Sequence, residues 1–107
     1  MEELNFTFTA PLWIYLGKGT WHFITLPVEY AEQVKFFTSP AATGHKRRGW
    51  GAVRVSVSIG EIKWETSMFP SKSANSYVLP IKAAIRKKAK IFEDDDVSVT
   101  LNVKTGL

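Results

Sequence analysis

Apolar and polar side chains alternate along most of this chain, and in two short segments the period lengthens to three or four. Residues 4–10 put Leu4, Phe6 and Phe8 on one side and Asn5, Thr7 and Thr9 on the other, as a strand with one buried face does. Pro11 interrupts the pattern. Residues 12–16 then form a second short strand, or continue the first after a bend. Gly17-Lys18-Gly19 marks a hairpin loop. In residues 21–26, Trp21 and Phe23 share one face while His22, Ile24 and Leu26 take the other. The strictest alternation is in residues 52–59, with Val53, Val55, Val57 and Ile59 against Arg54, Ser56 and Ser58. Gly60-Glu61 is a turn into residues 62–69, where Ile62, Trp64, Thr66 and Met68 oppose Lys63, Glu65, Ser67 and Phe69. After a loop at 70–75, Tyr77, Val78 and Leu79 suit a strand, and Val97, Val99 and Leu101 mark a last one.

The two longer-period segments each follow Leu-Pro. Pro27 opens a helix with Val28, Ala31 and Val34 along one side and Glu29, Glu32 and Gln33 along the other. Pro80 fits the first turn of a second helix. Its apolar stripe is Ile81, Ala84, Ile85 and Ala89, and Lys82, Arg86 and Lys87 face away. A helix of about ten residues is marginal alone and must dock by its stripe. The acidic run 93–96 is a turn signal. Both segments therefore read strand, Leu-Pro, helix, strand: a weak internal repeat equating Leu26-Pro27 with Leu79-Pro80 and Val53-Val55-Val57 with Val97-Val99-Leu101. Two such units would pack with pseudo-twofold symmetry. About seven strands, with turn signals at the spacing of a small sandwich or barrel, predict a mainly β chain with two short helices. The chain reads as a single domain, 1–107.

Composition narrows the function classes. Apolar residues make up 45% of the 107, enough for a packed core and too many for a disordered chain. The absence of cysteine excludes disulfides, thiolate metal sites and cysteine nucleophiles. No apolar run reaches the roughly 18 residues that span a bilayer, and the acidic start lacks a leader pattern. A cytoplasmic protein without membrane contact is the expectation. The net charge of +4 permits contact with phosphates without demanding it.

Several pieces, in this order, carry a family resemblance: Trp21 before Leu26-Pro27, the Gly49-Trp50-Gly51 turn into AVRVSVSIG, the stretch WETSMFP from Trp64, and YVLPIKAAIRKKAKI before an acidic turn and a closing strand. Over about residues 6–103 the chain resembles domain-of-unknown-function family 1905. That family usually has a glycine before the aspartate of the last turn, where this chain has Asp94-Asp95-Asp96. VLPIKAAIRKKAKIFEDDDVSV is also similar, more distantly, to the half-motif of swapped-hairpin transition regulators and antitoxins, with Arg86 in the place of their helix arginine. This second resemblance implies a small closed or double-split β-barrel. In those regulators two chains build the barrel, whereas the internal repeat here lets one chain supply both halves, so monomer and homodimer both stand open. The resemblance to family 1905 implies no established activity, whereas the analogy with the regulators implies nucleic-acid binding.

Lys46-Arg47-Arg48, flanked by His45 and Trp50, is the strongest patch for an anionic ligand, because a glycine-bounded basic loop beside an aromatic can touch phosphates and stack a base. The plainer reading is a solvated loop. Arg86 belongs to a second basic cluster, which the acidic run beside it can neutralise, and Arg86 itself can pair with that turn. The tryptophans are most simply core, or else line a pocket. Trp64 and Ser67 share one only if their strand bends before Pro70. Two histidines and no Gly-x-Ser-x-Gly setting leave hydrolytic chemistry without a nucleophile and base. The acidic run lacks the spaced ligands of a calcium loop, and no metal or cofactor is expected. The resulting expectation is a non-enzymatic binding module for an unknown ligand or protein partner, using His45, Lys46, Arg47, Arg48, Trp50, Trp64, Ser67 and Arg86. Nucleic-acid binding is the alternative, and an unrecognised enzyme is the third reading.

Overall fold

The computed structural model describes residues 3–17, 19–38 and 51–104. They form six strands and two helices: β1 (Glu3–Gly17), β2 (Gly19–Thr25), α1 (Val28–Phe37), β3 (Val53–Ile59), β4 (Ile62–Ser71), β5 (Ser76–Pro80), α2 (Ala83–Ala89) and β6 (Asp96–Lys104). All neighbouring strands are antiparallel, and they close into a barrel in the order β1-β2-β5-β4-β3-β6. The mainly β barrel with two short helices is as the alternation predicts.

The count is six rather than seven because β1 runs unbroken through Pro11. Pro11 faces Asp96 at the end of the β6 ladder, and from Leu12 onward β1 pairs with β2. Proline costs little where a strand leaves one partner for another, since its missing N–H falls at the changeover. Pro70 lies in β4 likewise, opposite Tyr77, so β4 extends into the region that reads as loop. Pro80 ends β5 opposite Phe23 rather than entering the helix, which starts three residues later. The acidic run is a turn tied to β1: the Leu12 N–H donates to the Asp95 carbonyl at 2.9 Å and the Asp94 N–H to the Leu12 carbonyl at 2.8 Å. Asp94 sits at φ 71°, so this turn keeps a left-handed residue even without the glycine that the resembling family has.

Leu12, Ile24, Leu26, Met68, Leu79, Leu101, Val55, Val57, Val99 and Val103 fill the interior, and Val34 of α1 is buried with them. Each such side chain contributes roughly 1.5–3 kcal/mol when fully buried.

The registers bear out the pseudo-twofold. Thr25 faces Val78 in the β2–β5 ladder and Val57 faces Leu101 in the β3–β6 ladder, and the repeat equates the members of both pairs. Two-residue symmetry of this kind places the axis through both ladders. Carried through the remaining ladders, it equates β1 with β4: Phe8↔Val99 maps onto Thr66↔Val55, Phe6↔Leu101 onto Trp64↔Val57, and Trp13↔Phe23 onto Ser71↔Ser76. The repeat unit is thus strand, strand, helix, strand, occurring twice.

Candidate functional site

The short strand β5 creates the site. It stops at Pro80, and beyond that point β2 and β4, which it separates, have no strand between them. α2 lies over this split. A cleft of about 610 Å³ remains, lined by Thr20, Trp21 and His22 of β2, Arg54 of β3, Thr66, Ser67 and Phe69 of β4, and Pro80, Ile81, Lys82, Ala83 and Arg86 at the α2 end.

The symmetry explains why this split is open. Under α1, Tyr30 stacks on Phe6 with ring centroids 4.6 Å apart and tilts against Phe8 at 6.3 Å. The positions equivalent to Tyr30 and Phe8 in the second half are Ala83 and Thr66, and both line the cleft. One half carries an aromatic plug where the other carries a methyl and a hydroxyl.

Three cationic side chains border the cleft, Arg54, Lys82 and Arg86, and no carboxylate is among the lining residues. Arg54 faces Ser67 across the β3–β4 ladder. Arg86 of α2 is held from two sides: its Nε donates to the carbonyl of Ile81, which precedes the helix, at 3.2 Å, and its Nη1 lies 3.2 Å from Nε2 of His22 in β2. A guanidinium only donates, so His22 Nε2 accepts and the proton resides on Nδ1. That Nδ1 is buried without a partner. The His22 pKa is lowered from 6.5, first by burial and second by the Arg86 charge, against a smaller raising effect of Glu93. A neutral imidazole next to a fixed guanidinium is the result.

Of the residues that the sequence singles out, Ser67 and Arg86 come together here. Trp64 does not: it points inward, opposite Val57, and packs against the core. His45, Lys46, Arg47, Arg48 and Trp50 lie outside the described residues. Among the described residues no ion pair joins α2 to the acidic turn, and Arg86 contacts His22 and Ile81 instead of that turn. Arg54, Lys82, Thr66 and His22 are the site residues that sequence reasoning did not assign. For Arg54 a signal existed: a two-residue loop at Gly60-Glu61 sets Ile59 against Ile62, which places Arg54 opposite Ser67.

The other two described tryptophans lie on the barrel's outer face. Trp13, Tyr15, Trp21 and Phe23 stand there with Phe69 and Val78 and line a second depression of about 360 Å³. Among the described residues no helix is long and apolar enough to cross a membrane, and no group of three potential metal ligands occurs.

A family model described as Domain of unknown function (DUF1905) matches residues 8–101. No curated protein matches the chain.

Proposed function

The chain belongs to the DUF1905 family, whose description carries no activity, and we propose from the site itself that it is a non-enzymatic module binding a small anion in the split beneath α2. The observation that carries this reading is the convergence of Arg54, Lys82 and Arg86, with the hydroxyls of Thr20, Thr66 and Ser67, on one cleft without a lining carboxylate. Guanidinium groups fixed beside hydroxyls recognise carboxylate or phosphate oxygens by charge-assisted hydrogen bonds. Binding rather than catalysis is favoured because His22 spends its Nε2 lone pair on Arg86, which leaves this imidazole no free acceptor for general-base work.

The test is calorimetric or NMR titration with inorganic phosphate. Binding is expected to weaken about tenfold, roughly 1.4 kcal/mol, in Arg54→Met and in Arg86→Met. The pair Arg47→Ala with Arg48→Ala reports separately on the basic cluster at 46–48. Phosphate binding that is absent, or that both arginine variants leave unchanged, refutes the split as the site.

A second reading, nucleic-acid binding, draws on the exposed Lys87 and Lys88 of α2 and Lys82 just before it, which have no ion-pair partner among the described residues. Its mark would be DNA affinity that falls steeply with salt and drops in Lys87→Ala and Lys88→Ala. Absence of DNA binding at low salt removes it.

A further inference from the structure

The depression on the outer face adjoins the split, and the two share Trp21 and Phe69 as a common wall. We infer, resting on the anion-binding reading above, that the ligand is a planar aromatic anion whose charged group sits in the split and whose ring lies in the aromatic trough.

The internal symmetry supplies the control. Trp13 and Phe23 occupy β1 and β2 positions whose ladder equivalents in the second half are Ser71 and Ser76, whereas the second half turns at 72–75 where β1 and β2 run on through Tyr15 and Trp21. The paired backbone at Ser71 and Ser76 is built with small side chains, so the fold does not require aromatics at Trp13 and Phe23. An outer sheet face ordinarily carries polar groups, yet Trp21 and Tyr15 are each 52% exposed. The two halves diverge in two places, the open split and this aromatic face, and the two places are contiguous.

The trough is also ordered before any ligand arrives. The Trp13 Nε1–H donates to Thr25 Oγ1 at 2.8 Å. Trp21 stacks on Phe23 with centroids 6.0 Å apart and planes within 4°, and Trp13 leans on Phe23 at 5.2 Å. Val78 floors the trough between these rings and Phe69. Fixed rings lose little freedom when a planar group stacks on them. Charge at one end and flat apolar surface at the other select a ligand with the same division.

The probes are 1-naphthyl phosphate, inorganic phosphate and 1-naphthol, titrated into the full chain. 1-Naphthyl phosphate is expected to bind at least about tenfold more tightly than inorganic phosphate, with quenching of tryptophan fluorescence, in keeping with ring stacking on aromatic side chains. Trp13→Ser, which installs the residue of the other half, should remove most of that gain and leave inorganic phosphate affinity unchanged. Tyr15→Ser, at a more exposed position, serves the same purpose should Trp13→Ser fail to fold. Equal affinities for the two phosphates overturn the aromatic-anion inference while leaving the anion site standing. Failure of both phosphates to bind overturns the anion site itself, and 1-naphthol binding as tightly as its phosphate overturns the division of charge and ring.

Discussion

His22 is the residue in which fold and site meet. Its backbone carbonyl receives the Ile81 N–H at 2.9 Å, which holds the start of α2 against β2. Its ring carries a buried, unpartnered Nδ1 and accepts from Arg86 through Nε2. Burial first and the guanidinium second push its pKa below 6.5, so the fold favours the neutral ring. The sign of the pH effect follows. Above 6.5 the ring is neutral in both states and its contribution is fully present. As pH falls below that value the unfolded chain takes up the proton first, and stability drops until the folded pKa is passed. The slope contributed by one group approaches about 1.4 kcal/mol per pH unit at most. Urea denaturation at pH 7.5 and 5.0 should therefore show a loss in the wild type that His22→Asn reduces. An equal loss in both would mean that His22 is not the responsible group.

At the scale of elements, the strands and helices are legible in the alternation, and the site is not. The interior faces of β1, β3 and β6 follow directly from Phe6, Phe8, Val55, Val57, Val99 and Leu101, because a period of two with one buried face leaves a single solution. Prolines misplace boundaries: Pro11 and Pro70 read as breaks and Pro80 as a helix start, yet each lies in a strand, Pro11 and Pro80 where a ladder ends and Pro70 within the β4–β5 ladder. The site escapes because it depends on which strands flank β5: its shortness is legible between the 70–75 loop and Pro80, but that it stands between β2 and β4 is a property of the closed ring. Arg86 could be singled out by charge, whereas Thr66 and Ala83 gain meaning only against Phe8 and Tyr30 across the axis. That comparison yields a prediction. Ala83→Tyr combined with Thr66→Phe transfers the plug of the closed split to the open one. Phosphate affinity should fall more than tenfold, with thermal stability held or raised, since a buried aromatic adds apolar contact. Unchanged affinity in a folded double variant would place the anion elsewhere.

For the whole molecule, the ring order decides how the halves depend on each other. β3 belongs to the first half by sequence, but both of its partners, β4 and β6, belong to the second. β6 belongs to the second half, and both of its partners, β1 and β3, belong to the first. Each half gives away its last strand, so neither can close its own sheet or cover its own apolar face, and a half left alone exposes unpaired edges. The reciprocal exchange resembles a swapped dimer drawn into one chain, and closure then needs no second copy. The chain is accordingly expected to sediment as a monomer. Cutting it in the β3–β4 turn, between Gly60 and Glu61, tests the dependence. Fragments 1–60 and 61–107 should each lack a cooperative unfolding transition as monomers, and mixing them should restore one together with the amide-shift dispersion of the intact barrel. Because the seams are the β2–β5, β3–β4, β3–β6 and β1–β6 ladders and the α2 contacts, including the His22–Arg86 pair, phosphate binding should return only in the mixture. A monomeric fragment 61–107 that unfolds cooperatively by itself would refute the exchange. Such a result would also remove the reason to treat the two halves as controls for one another.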